Sequence, residues 1–309
     1  MAQRIVVLGT GGTIAGRGAD ASDHLGYKAG EVAVKDLLAD IPLLAGVSVS
    51  SEQVAQIDSK DLSFDVLRKL AARCAEALAQ DDVQAIVITH GTDTIEETAW
   101  FLQRVLAPAK PIVLACAMRP ATAISPDGPQ NLVDAFTVAR HPGARGAVVV
   151  CAGQVHGAAD VRKVHPHRLD AFGSGDAGSV GYVEAGHVRQ LRAWPQTRPQ
   201  GTLAARIQAA SEWPWVEIVT SGAGADGRVV DALVAAGVRG LVAAGTGNGS
   251  LNSELESALR RAEEKGVRLA RASRCLDGTI VGTPTGALRA SALTPAKARI
   301  DLVLDLLAA

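Results

Sequence analysis

The chain alternates short apolar runs with longer stretches of helical period. Residues 5–8, 85–89, 111–115, 146–151, 216–219, 240–244 and 267–270 are apolar runs, interrupted only by Thr89, Glu217 and Arg268, as expected for strands covered on both faces of a parallel sheet. Between them, Leu67, Leu70, Ala71, Cys74 and Leu78 recur at helical spacing, as do Ile95, Ala99, Leu102 and Leu106; each set lays an apolar stripe along one helix face. Thr94 with Glu97, and Ser253 with Glu256, have the spacing of a capping box. Thr294 and Pro295 supply the N-cap and first-turn pair of a last helix running towards Leu307. Strands alternating with helices predict an α/β fold. We expect two α/β domains: a larger N-terminal one with a mostly parallel sheet and flanking helices, and a smaller C-terminal parallel-sheet domain.

The pattern breaks between about Arg192 and Trp215, where Pro195, Pro199, Gly201 and Pro214 interrupt it and three of the four tryptophans cluster. This places a domain at 1–191, a linker at 192–213 and a second domain at 214–309. Hydrophobic residues at 48% and charged residues at 20% supply cores for both and exclude a disordered chain.

Charge narrows the partners. Lys plus Arg (31) nearly balance Asp plus Glu (32), so no global field favours nucleic acid or an anionic membrane, and a small-molecule partner is expected. The N-terminus shows neither a long apolar region nor a small-residue cleavage site, and no apolar run reaches the ~18 residues that span a bilayer. A cytoplasmic location follows as the expectation. The four cysteines, Cys74, Cys116, Cys151 and Cys275, form no CxxC pair and read as free, buried thiols of a reducing compartment.

Two polar clusters stand at strand ends. The first is Gly9-Thr10-Gly11-Gly12-Thr13-Ile14-Ala15-Gly16. It fails the dinucleotide fingerprint at Ile14 and the P-loop pattern at Arg17, which leaves hydroxyls and close backbone approach where open α/β sheets hold ligands. By itself it reads as a plain tight turn. The second is Thr89-His90-Gly91-Thr92-Asp93-Thr94-Ile95-Glu96-Glu97-Thr98. With Thr94 and Glu97 assigned to capping, Thr92 and Asp93 have no structural task. A hydroxyl nucleophile is weak at neutral pH and needs a base or a proton relay, and a lysine such as Lys163 beside Thr92 and Asp93 would favour the hydroxyl's ionisation. Taken alone, Lys163 reads rather as a solvated surface lysine next to Arg162.

Together, the segments at 9–16 and 90–98 resemble the two signature segments of bacterial L-asparaginases. Tyr27-Lys28-Ala29-Gly30, Asp58-Ser59-Lys60-Asp61, Ala117-Met118-Arg119-Pro120, Asp127-Gly128-Pro129, Asp160-Val161-Arg162-Lys163 and Gly247-Asn248-Gly249 extend the resemblance, in the family's order, over nearly the whole chain. It implies that Thr13 is the acylated nucleophile with Tyr27 as its partner on a closing loop, the Gly/Ala/Asp-rich stretch from Gly16 to Gly26 suiting a mobile lid. It further implies a triad of Thr92, Lys163 and Asp93, with Ser59 and Asp93 holding the substrate's α-carboxylate and α-ammonium. Ala117 would supply a backbone carbonyl to the substrate amide, and Asn248 would complete the site across a subunit interface of a homotetramer built as a dimer of dimers. Strand and helix ends beside Thr13 and Asp93 offer N–H donors for an oxyanion.

The expected reaction is hydrolysis of L-asparagine to L-aspartate and ammonia with no cofactor. A glutaminase-asparaginase accepting L-glutamine, a non-catalytic amino-acid sensor and a tRNA-dependent amidotransferase subunit are the alternatives; the last lacks an evident partner-binding region. Two departures bear on substrate choice. Lys60 brings a positive charge next to Ser59, into the substrate-binding group, and the segment Arg274-Cys275-Leu276-Asp277-Gly278 is shorter than in larger relatives, leaving Asp277 as its only acid. His165-Pro166-His167 with His156 has spacing that suits a metal, but no acidic or cysteine partner accompanies it, so no metal site is expected. Cys116 as nucleophile lacks a nearby His-Asp pair and reads as a buried thiol.

Overall fold

The structure is a computed structural model that describes residues 3–22, 26–39, 41, 47–197, 202–282 and 288–309. Two compact units emerge, residues 1–200 and 201–309. In the first, the strands are β1 (Arg4–Gly11), β2 (Ser48–Ile57), β3 (Val83–Thr89), β4 (Pro111–Ala115), β5 (Gly146–Cys151), β6 (Gln154–Gly157), β7 (Arg162–Lys163), β8 (Phe172–Gly173), β9 (Gly181–Glu184) and β10 (His187–Gln190). Its helices are α1 (Val34–Ala39), α2 (Phe64–Leu78), α3 (Ile95–Leu106) and α4 (Gly128–Ala139).

Eight of these strands form one sheet in the order β10-β9-β6-β5-β4-β3-β1-β2. The pairs from β2 to β5 are parallel and those from β5 to β10 antiparallel. The apolar runs at 5–8, 85–89, 111–115 and 146–151 are its central strands, and β3, β4 and β5 are buried almost without a break. Helices cover both faces, so these strands need no polar side. Strand β2 was not evident in the sequence: Val54 is its one buried residue, because an edge strand alternates polar and small side chains.

The second unit holds β11 (Val216–Thr220), β12 (Gly240–Gly245), β13 (Arg268–Ser273) and β14 (Arg289–Ala290), with α5 (Leu203–Ala209), α6 (Arg228–Ala235), α7 (Ser253–Glu264) and α8 (Pro295–Ala308). Its four strands are parallel in chain order. The expected class, a mostly parallel larger sheet and a separate smaller parallel one, is what the chain adopts.

Some local expectations change. The cap of α7 is Asn252, whose side chain accepts from the Glu254 and Leu255 N–H groups, in place of Ser253. Thr94 occupies the N-cap of α3 without capping it: its hydroxyl donates to the Ser59 carbonyl at 2.8 Å. Thr294 does cap α8. Within the segment read as a linker, Trp194 is buried in the first unit's core and α5 packs on α8; its residues 198–201 lie outside the described residues. Cys74, Cys116 and Cys151 are buried, whereas Cys275 is exposed. Among the described residues no helix is long and apolar enough to cross a membrane.

Candidate active site

The strand order β2-β1-β3 means that the chain leaves β1 towards one side of the sheet and leaves β3 towards the other. Beyond the carboxyl ends of two such strands a crevice opens, which is where sheets of this kind hold ligands. Thr13 follows β1, Thr92 and Asp93 follow β3, Ser59 follows the neighbouring β2, and Ala117 and Met118 follow β4. The sheet therefore delivers distant segments to one place.

Glycines allow these segments to touch. A Cβ on Gly12, whose φ is +81°, would sit 2.2 Å from the Gly91 Cα, and one on Gly91 would meet the Ser59 Oγ at 2.4 Å. Backbone fills the space that side chains take elsewhere. Behind Gly91, the buried His90 bridges its own turn: Nδ1 lies 2.7 Å from the Gly91 carbonyl and Nε2 2.9 Å from the Thr98 hydroxyl. Because a carbonyl only accepts, Nδ1 carries the proton and Nε2 accepts from Thr98. Burial pushes the His90 pKa down to about 4, so the ring is neutral at physiological pH.

Two hydrogen-bonded groups face one cavity. The Thr13 and Tyr27 hydroxyls are 2.6 Å apart. The Tyr27 ring packs on Gly16, and Lys28 and Arg17 exchange backbone bonds beside it. Residues 23–25 of the expected lid lie outside the described residues; before them, the Gly16 and Ala21 carbonyls accept from the Ala121 and Ile124 N–H groups. In the second group, Lys163 Nζ donates to Thr92 Oγ1 at 2.8 Å and to Asp93 Oδ1 at 2.6 Å, while its backbone N–H donates to Glu96. The Asp93 N–H is directed to Ser59 Oγ at 3.2 Å.

Thr13, Tyr27, Asp58, Ser59, Thr92, Asp93, Met118, Lys163, Pro166 and His167 line a cavity of about 170 Å³. That is well below the several hundred Å³ of sites for drug-sized molecules, and suits a small polar metabolite. Asp127 shapes its floor by accepting from the Met118 and Arg119 N–H groups at 2.9 Å each, and Asn131 ties down the Cys116 carbonyl.

Residues 4–196 match the family profile described as Asparaginase, N-terminal, and residues 215–308 match the Glutaminase/Asparaginase C-terminal domain. The chain belongs to the asparaginase family. It is 38% identical to L-asparaginase 2 of Bacillus subtilis (strain 168), covering 98% of this chain and 82% of that protein. With a Glutaminase-asparaginase of Pseudomonas fluorescens biotype A it shares 39% identity over 90% of this chain and 77% of that one. Its fold is similar to the crystal structure of a Probable Cytoplasmic L-asparaginase from Campylobacter jejuni, with a TM-score of 0.92, 35% identity and coverage of 98% and 95% of the two chains.

Within this asparaginase, the candidates Thr13, Tyr27, Ser59, Thr92, Asp93 and Lys163 come together, and Ala117 follows β4 just before the lining Met118. Lys60 does not line the cavity. Its ammonium turns to Asp58 at 2.5 Å, the side chain is 62% exposed, and that contact, above all, holds the lysine in its charged form. Asn248 belongs to the second unit, where its side-chain amide closes on the Val281 backbone in both directions. Cys116 is held protonated by the thiol of Cys151 and by burial, which speaks against a nucleophile. No group of three metal-binding side chains occurs among the described residues. His165 Nδ1 instead accepts from the His167 and Arg168 N–H groups.

Asp58, Met118, Pro166 and His167 were not assigned to the site from sequence. Asp58 and Met118 stand inside segments that carried the family resemblance, so position offered a signal. Pro166 and His167 are brought over the cavity by the hairpin of β7 and β8, which the sequence pattern did not reveal.

Proposed function

We propose that this asparaginase hydrolyses L-asparagine to L-aspartate and ammonia through an ester on Thr13. The chain is an amidohydrolase by family, and the observation that carries this reading is the shared cavity of two activated hydroxyls, Thr13 against Tyr27 and Thr92 against Lys163.

In the first half-reaction the Thr13 oxygen attacks the side-chain carbonyl carbon of asparagine. Its proton leaves through Tyr27 or the Thr92–Lys163–Asp93 group and ends on the departing nitrogen as the C–N bond breaks and ammonia forms. In the second, water attacks the ester carbonyl, Thr13 recovers a proton, and aspartate leaves. Ser59 and Asp93 bind the α-carboxylate and α-ammonium, and the Ala117 carbonyl accepts from the substrate amide. No cofactor takes part in any step. Asn248 is proposed to act from a neighbouring subunit of a homotetramer arranged as a dimer of dimers, which light scattering on the purified protein would test. A cytoplasmic location accords with the description of the Campylobacter protein, and cell fractionation is its test.

Glutamine is the nearest competing substrate, since one methylene is worth only about 1–3 kcal/mol in a pocket and a glutaminase-asparaginase is among the similar proteins. Steady-state ammonia release from both amino acids decides between them. We expect a higher kcat/KM for asparagine; a higher value for glutamine would overturn the substrate assignment, and binding without any ammonia release would favour a sensor.

A further inference from the structure

The hairpin that carries Lys163 continues over the cavity. Its base is closed by the β7–β8 pairing and by Val164 and His165 N–H bonds to the Ala171 carbonyl, and the Leu169 carbonyl accepts from the Cys151 thiol. At its tip, His165 Nδ1 accepts from the His167 N–H at 3.0 Å and the Arg168 N–H at 2.9 Å. A proline stands between the two histidines. The turn is therefore fixed by a side chain and a ring, and it sets His167 against the cavity, where it lines the wall yet remains exposed.

The charges around this position nearly cancel. Asp58 from the end of β2, Asp93 from the connection after β3, Lys163 from β7 and Tyr27 from beyond β1 line the same cavity as His167. Asp58 is paired with Lys60 and Asp93 with Lys163. On the hairpin itself, Arg168 is paired with Asp170 at 3.2 Å. Two carboxylates are thus met by two ammonium groups, and His167 is the lining side chain of the type that gains or loses a charge in the physiological range. A neutral cavity suits a neutral zwitterion such as asparagine. The acid product carries one more negative charge and gains only if a positive charge is added.

We propose that His167 is a specificity-determining residue that sets how strongly the site discriminates between the amide substrate and its dicarboxylate product. Neutral His167 leaves aspartate poorly held and frees the site after turnover; protonated His167 retains aspartate and makes the product an inhibitor. This rests on the asparagine-hydrolysing reading of the same cavity.

The test is competitive inhibition by aspartate at about pH 8 and about pH 5.5, on the wild-type protein and on His167→Gln and His167→Lys. An exposed charge contact is worth up to about fivefold. We expect aspartate inhibition of the wild type to strengthen on acidification by about fivefold more than that of His167→Gln. His167→Lys should be strongly inhibited by aspartate at both pH values. Equal pH responses in the wild type and His167→Gln, or weak inhibition of His167→Lys at the higher pH, would overturn the proposal. Calorimetric binding of aspartate to the same three proteins gives the same comparison without turnover, so a wild type that released no ammonia would remove the reaction and leave the His167 contact tested on its own.

Discussion

The hydroxyl oxygens of Thr13 and Tyr27 lie 2.6 Å apart, and Tyr27 reaches that position because Gly16 has no side chain to keep its ring away. The pair is buried at the Thr13 end, where only 7% of the residue is exposed. In the proposed reaction a phenol so placed relays the proton of Thr13. Tyr27→Phe keeps the ring and removes the relay, so kcat should fall by about 100-fold or more with KM changed far less. Steady-state kinetics reads both, and an unchanged kcat would remove Tyr27 from the proton path.

Lys163 reaches Thr92 and Asp93 together, and the proposed mechanism has these side chains act as a unit. Groups that act as a unit do not lose activity multiplicatively. Lys163→Met and Thr92→Val should each lower kcat by roughly 1,000-fold, and the double variant should be little worse than either. Costs that multiply would show that the two residues work independently.

Gly12 and Gly143 both have positive φ, +81° and +80°, but a Cβ at Gly12 would strike the Gly91 backbone while one at Gly143 would meet nothing within 4 Å. Alanine at either site incurs torsional strain from the positive φ, and at Gly12, where ψ is −173°, in a region essentially reserved for glycine, the clash is added to it. Gly12→Ala should be less stable than Gly143→Ala by about 2 kcal/mol or more, or fail to fold. Urea unfolding compares them, and equal stabilities would mean that the two loops can part at little cost.

His90 links the site to acid stability. The unfolded chain takes up a proton here near pH 6.5, the folded chain only at about pH 4. In that window the unfolded state binds more protons, so folding stability is full above pH 6.5 and declines as pH drops towards 4. The shift corresponds to about 3 kcal/mol. Unfolding free energies measured across this window should show a steeper acid loss in the wild type than in His90→Gln; parallel curves would contradict the burial argument.

The sequence revealed what burial dictates. Strands β4 and β5 were readable to the residue because both faces are covered and every side chain is apolar. Strand β2 and the β9–β10 hairpin lie at the sheet's edges, where solvent admits polar side chains, and no apolar run marked them. Thr94 shows a second limit: its spacing to Glu97 fitted a capping box, yet its hydroxyl found the Ser59 carbonyl, a partner 35 residues away. Lys60 shows a third. Adjacent to Ser59 in the chain, it turns outward to Asp58, because neighbouring residues in a tight turn point in different directions. The core of the site was legible through motif resemblance, while its rim, built by Pro166 and His167, depended on how a hairpin folds back.

The central claim is that Thr13 forms the covalent ester. Its most direct test is ammonia release from asparagine by Thr13→Ala, with asparagine binding followed calorimetrically on the same protein. The hydroxyl acts mainly in the transition state, so turnover should fall by roughly a million-fold, as on removing a nucleophile, while asparagine still binds with near wild-type affinity. Turnover retained within about tenfold of the wild type would contradict Thr13 as the nucleophile.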